Sequence, residues 1–209
     1  MNRIKEFYRI SRPAPKRELD DTACDRYYRR LRLQAFTAAT LGYSLYYVCR
    51  TSLNVMKKPI LDSGSLDASQ LGVIGSALLF AYAVGKFVNG FIADYCNIKR
   101  FMATGLVVSA SANALMGVLG LAQSVIPTGV VFVAFMWGLN GWAQSMGAPP
   151  AIISLSRWYP LKERGTYYGF FSASHNLGEF FSFLFVGSIV TFAGWQAGFF
   201  GSAAAGAIG

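Results

Sequence analysis

Acidic side chains, histidine and cysteine are scarce in this sequence. Ten of the 209 residues are Asp or Glu, one is His and three are Cys, against nineteen Lys or Arg. No spacing of these residues is typical of a metal site or of an extracellular disulfide. No nucleophile with an adjacent base and no glycine-rich phosphate loop is present either. We therefore expect no cofactor, no metal site and no catalytic residue, and the protein is not predicted to be an enzyme.

Charge of either sign is rare along most of the chain, where long apolar stretches take its place. Only 14% of the residues are charged and 54% are hydrophobic. A helix needs about 20 apolar residues to cross a hydrocarbon core of about 30 Å. This pattern predicts an all-α membrane protein with six spans, the last of them truncated. The spans lie near 33–56, 70–93, 101–122, 128–152, 165–192 and 195–209.

Positive charge is concentrated at one side of the predicted membrane. Ten Lys or Arg residues lie within residues 1–32, and the loops after the second and fourth spans contain Lys99, Arg100, Arg157, Lys162 and Arg164. Lys and Arg in short loops favour the cytoplasmic side. We expect a basic cytoplasmic tail over residues 1–32 and a multi-pass protein of the cell inner (plasma) membrane. Anionic membrane lipids account for the basic residues, so no nucleic-acid partner is expected.

Four ionisable residues remain inside the predicted spans: Arg50, Lys86, His175 and Glu179. An Arg or Lys at the centre of a membrane helix costs about 2.5–3.5 kcal/mol, so each requires a partner. One explanation is structural, with the two cations pairing with Glu179 or with backbone carbonyls. The other is an anion site, because two cations and an imidazole outweigh one carboxylate. Phosphate, with about −1.5 to −2 charges and several acceptor oxygens, fits such a site well.

Aromatic and amide side chains lie close to these charges in the sequence. Tyr43 and Tyr47 share a helical face with Arg50 and offer rings and hydroxyls, although tyrosines of this kind are often ordinary packing residues. In "GLNGWAQSMGAPP", Trp142 and Gln144 stand among glycines and before a proline pair. That segment is explained either by close helix packing with a helix break or by contact with a substrate.

Five segments in order resemble one family: "GYSLYYVCRTSLNV", "AYAVGKFVNGFIAD", "GLNGWAQSMGAPP", "SRWYPLKERGTYYGF" and "SASHNLG". They are similar to the amino-terminal half of the organophosphate:phosphate antiporters of the major facilitator superfamily. That family includes glycerol-3-phosphate and hexose-phosphate transporters and a related sugar-phosphate sensor. The resemblance implies a six-helix amino-terminal bundle of a twelve-helix major facilitator fold. The carboxy-terminal six-helix half, absent here, would complete the site.

The same resemblance assigns roles to individual residues. It makes Arg50 a phosphate ligand, places Lys86 near the cavity as further positive charge, and gives His175 a hydrogen bond or charge on substrate binding. It also places Tyr43 and Tyr47 in the cavity wall. Three-helix inverted repeats are expected from the fold, yet no trace of them is visible in the sequence.

The segment "GFIADYCNIKR" resembles the loop signature of the superfamily. Gly90, Asp94 and Arg100 match it, whereas Asn97 stands where a glycine is expected. The resemblance implies a conformational gate held by Asp94, with Arg157 as a candidate partner. A plain pair of charges at the membrane edge explains these residues equally simply.

Glu179 departs from the family pattern, which has a small residue shortly after the histidine. It lies one helical turn beyond His175, so it would hold the imidazole protonated, pack away from lipid, or neutralise Lys86 and tune anion entry. These alternatives stay open from the sequence.

The sequence therefore predicts a secondary transporter that exchanges an organic phosphate ester, such as a sugar phosphate or glycerol-3-phosphate, for inorganic phosphate by alternating access. A sugar-phosphate receptor of the same fold, signalling to a membrane-bound sensor kinase, is the alternative. The two share their ligand residues and differ in coupling.

Overall fold

The structure is a computed structural model that describes residues 2–10, 20–122 and 129–208. All regular elements in these ranges are helical, in agreement with the predicted all-α class. A π-helical turn, Ser182–Val186, joins the last two helices. The α-helices are α1 Asn2–Phe7, α2 Asp21–Asp62, α3 Ala68–Tyr95, α4 Ile98–Leu121, α5 Val130–Gln144, α6 Ala148–Trp158, α7 Leu161–Phe181 and α8 Gly187–Ile208.

Helix α2 is much longer than a bilayer requires. Its 42 residues extend over about 63 Å at 1.5 Å per residue, and it begins twelve residues before the predicted span 33–56. Residues 21–32 therefore continue the membrane helix beyond the bilayer rather than joining it as a separate coil. The predicted boundary of a tail domain at residue 32 stays a prediction.

The predicted fourth span is broken into two helices. Helix α5 ends at Gln144 and α6 starts at Ala148, with Pro149 and Pro150 in its first turn. Proline lacks an N–H, and the first turn of a helix is where that donor has no intrahelical partner. The proline pair therefore starts a new helix, as one of the two explanations of this segment proposed.

A single glycine divides the last long helical stretch. Leu161–Ile208 runs for 48 residues, about 72 Å of helix, which is more than twice the thickness of a bilayer core. Gly194 has φ 82° and ψ 170°, a backbone conformation open to glycine and closed to other residues. The chain turns back there, between the predicted spans 165–192 and 195–209.

Within the described residues, three helical stretches are long and apolar enough to cross a membrane by length and composition: Ala68–Tyr95, Ile98–Leu121 and Leu161–Ile208. Helix α2, which includes Arg50, is a fourth long helical segment, and α5 with α6 forms a fifth that is interrupted at the break. Because Gly194 splits the longest stretch in two, the described bundle contains six long helical segments. This agrees with the predicted six-helix architecture.

The helices pair in a pattern that repeats. Helix α3 packs along α5 and α7 packs along α2, while α4 lies against α5 and α8 lies against α2. Helices α4 and α8 also contact each other extensively. Exchanging α2 with α5, α3 with α7 and α4 with α8 maps these main pairings onto one another. The fold thus contains two similar three-helix units, which the sequence did not reveal.

Glycines set the closest helix contacts of this bundle. A Cβ at Gly141 of α5 would collide with the main-chain carbonyl of Leu78 on α3. A Cβ at Gly178 of α7 would collide with the carbonyl of Ser44 on α2. Small residues at such crossings let backbones approach, which is the main source of packing energy between helices in lipid.

The contact at Gly141 can be tested by one methyl group. Gly141→Ala should destabilise the full-length protein by about 1–3 kcal/mol, the usual cost of overpacking. Gly138→Ala is the matched control on the same helix, because its nearest neighbour would be the carbonyl oxygen of Ala77 at 3.7 Å. Thermal unfolding in detergent, followed by circular dichroism, measures the difference. Equal melting temperatures would contradict the close packing of α3 on α5.

Candidate anion site on the open face of the bundle

Arg50 is half-buried on α2 and meets an aromatic ring of the neighbouring helix α3. Its guanidinium carbon lies 4.1 Å from the ring centroid of Tyr82 and 5.6 Å from that of Tyr47. Such contacts are worth about 0.5–2 kcal/mol, more when they are shielded from water. These contacts orient the guanidinium but do not neutralise its positive charge.

Lys86 approaches the same tyrosine from its own helix. Its ammonium nitrogen lies 4.8 Å from the ring centroid of Tyr82, and its side chain is exposed on the surface of the half-bundle. Two cations therefore flank one neutral ring. Sequence reasoning missed Tyr82, although its position four residues before Lys86 places it on the same helix face.

The small residue before Lys86 explains where the lysine points. A Cβ at Gly85 would lie 3.0 Å from the Cβ of Ser145 on the opposite helix, so this face of α3 is packed tightly against the end of α5. Lys86 is the next residue and turns away from that contact. The sequence thus directs its ammonium to the exposed surface of the half-bundle around Lys86, here called the open face.

His175 joins the site through Tyr47. The centroids of the two rings are 5.5 Å apart, and Tyr47 in turn lies 5.3 Å from Tyr43. Tyr43 is only 9% exposed and stacks on Phe171 at 5.0 Å. The structure therefore brings His175 and Tyr47 to the site, whereas Tyr43 is mainly a packing residue behind them.

Glu179 does not neutralise these cations in the described part of the chain. The one ion pair found there joins Arg32 and Glu163, and the carboxylate of Glu179 takes part in no hydrogen bond among the same residues. Neither an ion pair with Lys86 nor an ion pair or hydrogen bond with His175, which its spacing suggested, is formed in this part of the chain. The excess of positive charge at Arg50 and Lys86 is thus left for another partner.

Trp142 and Gln144 lie in different surroundings, although the sequence grouped them. Trp142 is 36% exposed, whereas Gln144 is 3% exposed and donates through Nε2 to the hydroxyl of Ser109 at 2.6 Å. Ser109 in turn donates to Asn140 Oδ1 at 2.5 Å. This buried chain of hydrogen bonds ties α4 to α5. Contact of Gln144 with a substrate stays a prediction, and the geometry gives its amide a structural partner.

The residues expected to form a gate gather at the end of the bundle that contains Arg32, Asp94, Lys99 and Arg157, here called the basic end. The Arg157 guanidinium lies 3.5 Å from the main-chain oxygen of Asp94, and no ion pair with its carboxylate is formed in the described residues. A Cβ at Gly90 would meet nothing within 4 Å, so the packing of this half does not require a glycine there.

Arg100, the fourth residue expected at the gate, holds the first helix in place. Its Nη1 donates to the carbonyl of Phe7 at 2.6 Å, and its guanidinium lies 4.9 Å from the ring of Phe7. The backbone N–H of Asn97 donates to the carbonyl of Tyr8 at 2.8 Å. The start of the chain therefore packs on the loop between α3 and α4, a contact that sequence reasoning missed.

A second unpredicted cluster joins α2 to the loop between α6 and α7. Arg32 forms its ion pair with Glu163, and its guanidinium lies 4.2 Å from the ring centroid of Tyr159 and 5.3 Å from that of Tyr167. The hydroxyl of Tyr28 donates to the carbonyl of Trp158 at 2.9 Å. The extension of α2 is therefore fixed to the basic end.

Comparison with solved structures supports the fold. A bacterial homologue of the human lysosomal transporter Spinster, in an inward-facing and unoccupied conformation, matches with a TM-score of 0.72 at 20% identity. The match covers 85% of this chain and 41% of the other. At this identity the likeness concerns the fold alone.

Curated relatives are similar over most of this chain. A probable hexose phosphate transport protein of Chlamydia pneumoniae is 34% identical, over 85% of this chain and 37% of its own length. The glycerol-3-phosphate transporter of Bacillus subtilis is 34% identical, over 91% and 42%. The membrane sensor protein UhpC of Escherichia coli is 31% identical, over 86% and 39%. The chain spans less than half the length of each of these three relatives.

A family model described as Major Facilitator Superfamily matches residues 39–209. The relatives are transporters and a sensor rather than enzymes, in agreement with the absence of a catalytic constellation. Together with the six-helix bundle, these matches confirm the resemblance indicated by the five sequence segments, and the chain belongs to the major facilitator superfamily.

Proposed function

We propose that this chain is the amino-terminal half of a secondary transporter that exchanges an organic phosphate ester for inorganic phosphate by alternating access. The observation that carries the proposal is the pair of cations, Arg50 and Lys86, which both contact the ring of Tyr82 and have no carboxylate partner among the described residues. Charged groups inside a membrane bundle are costly and mark ligand pathways.

Phosphate has the charge and the shape that this site requires. A monoester at neutral pH has about −1.5 to −2 charges and three acceptor oxygens. The guanidinium of Arg50 offers paired N–H donors in a planar fork, and Lys86 adds a mobile point charge. The imidazole of His175, beside Tyr47, is placed to add a further hydrogen bond.

The exposure of Lys86 supports a site shared between two halves. Its side chain and that of Trp142 lie on the open face of this half-bundle. A second half facing them would close the site and exclude water, which strengthens each charge interaction. Since the chain spans less than half of its relatives' length, further ligands are expected from the remaining part of the protein.

The basic end supplies the second element of the proposal. We infer that it faces the cytoplasm of a cell whose inner membrane holds the protein, since Lys and Arg favour that side. The Arg157 guanidinium lies near the main-chain oxygen of Asp94 there. Gly90 lies in the last part of α3, and Arg100 lies in the first turn of α4. These four residues would form a gate when the second half closes on them.

A receptor is the second candidate, and one observation favours it. The membrane sensor protein UhpC of Escherichia coli is 31% identical to this chain. A receptor would bind a sugar phosphate through the same residues and would signal to a membrane-bound kinase instead of moving its ligand. The two functions differ in turnover, so transport must be measured as well as binding.

Phosphate counterflow tests the proposal directly. The full-length protein is reconstituted in vesicles loaded with labelled phosphate, and glucose-6-phosphate or glycerol-3-phosphate is added outside. We expect efflux of label with one of these esters and a loss of about tenfold or more in Arg50→Lys, because a lysine cannot form the bidentate contact.

Two results would contradict the transporter. Binding of a sugar phosphate without release of label in the wild type favours the receptor. A wild-type protein that binds no phosphorylated compound makes Arg50 a structural residue. The Asp62→Asn variant, which alters an exposed carboxylate at the far end of α2, serves as the control for charge changes in general.

Tyr82 should contribute through its ring. Tyr82→Leu is expected to weaken phosphate binding about three- to tenfold, because both cations lose the aromatic face that orients them. Tyr82→Phe keeps a ring and should remain within about twofold of the wild type. Displacement of labelled phosphate from purified full-length protein measures both. An equal loss in the two variants would assign the effect to the hydroxyl instead.

A further inference from the structure

Glu179 is a half-buried carboxylate in the last turn of α7 with no hydrogen bond or ion pair in the described part of the chain. A charged residue in a membrane segment is expensive unless it faces a partner or a water-filled cavity. An ionisable side chain in such a position is therefore a candidate functional residue. The question is which cavity Glu179 faces and what would donate to it.

The packing of α7 on α2 answers the first part. The buried stripe of α7 contains Phe171, Ser174 and Gly178, and Gly178 lies against the carbonyl of Ser44. Residues one position after this stripe, at 175 and 179, are turned by about 100° from it. Both are half-buried, which places them at the border between the helix contact and the open surface.

The ring of His175 shows that this border faces the cations. It lies 5.5 Å from the ring of Tyr47, whose centroid is 5.6 Å from the guanidinium carbon of Arg50. Glu179 is one turn farther along the same stripe, about 6 Å along the helix axis from His175. Glu179 thus lies on α7, one turn beyond the ring that reaches Tyr47, whereas Lys86 lies on α3; both helices contact α2, which contains Arg50.

The helix changes its winding directly after Glu179. The π-helical turn Ser182–Val186 begins three residues later. Insertions of this kind rotate the following residues around the helix axis and are frequent at functional sites. Here the turn ends the stripe shared by His175 and Glu179, so the carboxylate marks the far edge of the site on α7.

A carboxylate on α7 beside the cations of α2 and α3 would make the site positive on one side and negative on the other. A phosphate ester lying across it would place its phosphate on Arg50 and Lys86 and turn its organic part toward α7. Hydroxyl groups there would donate to the carboxylate of Glu179, whereas a second carboxylate on the ligand would be repelled by it. Unlike inorganic phosphate, an ester would reach both sides.

We propose that Glu179 selects the organic part of the ligand, favouring phosphate esters of polyols and sugars over phosphate esters that include a carboxylate. This rests on the proposed function, since it assumes that a phosphate group occupies the cation site.

A matched pair of ligands tests the selectivity. Glycerol-3-phosphate and 3-phosphoglycerate differ in one group, a hydroxymethyl in the first and a carboxylate in the second. Each displaces labelled inorganic phosphate from the purified full-length protein. We expect the wild type to prefer glycerol-3-phosphate by about tenfold, the effect of a like charge about 10 Å away at an effective dielectric constant of ~20.

The variant Glu179→Gln should lose most of this preference, because the amide still accepts a hydrogen bond but no longer repels a carboxylate. Glu179→Asp, which keeps the charge, should retain it. Inorganic phosphate should bind Glu179→Asp about as it binds the wild type, and should bind Glu179→Gln at least as tightly, since Arg50 and Lys86 are unchanged and one repelling charge is removed. The control variant Asp62→Asn should behave as the wild type.

Each contrary outcome has its own meaning. A wild type with no preference, or with a preference for 3-phosphoglycerate, overturns the role of Glu179 even if Glu179→Gln fails to fold. A preference that survives in Glu179→Gln overturns it as well. If the wild type binds no phosphate, both the proposed function and this inference are contradicted. If phosphate binds but Glu179→Gln keeps the selectivity of the wild type, only the inference is contradicted.

Discussion

The arrangement of two cations around one tyrosine ring constrains the rest of the structure. A ring can orient a guanidinium and an ammonium, but it cannot cancel their charges. Arg50 and Lys86 lie on different helices, α2 and α3, so their approach to Tyr82 also fixes the distance between those helices at the site. The bundle therefore contains two cations that no carboxylate among the described residues neutralises.

Close helix contacts provide the rigidity that such a site needs. Gly85 brings α3 against the end of α5 and leaves Lys86 on the open face. Gly178 brings α7 against α2 and allows His175 to reach Tyr47. In lipid there is no hydrophobic force between helices, so these approaches depend on small side chains and on hydrogen bonds such as that between Gln144 and Ser109. The same glycines therefore determine both the helix packing and the positions of Lys86 and His175.

The sequence predicted the class of protein, and it singled out the charged residues of the spans, for physical reasons. Length and hydropathy determine how many helices cross a bilayer, and a charge inside a span is visible without a structure. Arg50, Lys86 and His175 were found in this way, and the structure brings them around Tyr82 and Tyr47. The proline pair likewise indicated the break before Ala148.

Contacts between distant segments could not be predicted from the sequence. Tyr82 was missed because an aromatic residue in an apolar span resembles an ordinary packing residue, and its contact with Arg50 on another helix is visible only in the fold. Gln144 was grouped with Trp142 because they are two residues apart, yet a helix turns such residues by about 200° from each other. The ion pair of Arg32 with Glu163 joins positions 131 residues apart, and the α1 contact with Arg100 depends on a fold that brings the loop to it.

The two three-helix units of the bundle are alike in packing and unlike in charge. Helix α5, the counterpart of α2, has no ionisable side chain along Val130–Gln144, whereas α2 contains Arg50. The helix pairings are thus symmetric but the charges are not, since Arg50 on α2 and Lys86 on α3 belong to one unit and His175 and Glu179 on α7 belong to the other. An anion near this half-bundle would therefore be attracted more strongly toward α2 and α3 than toward α5 and α7.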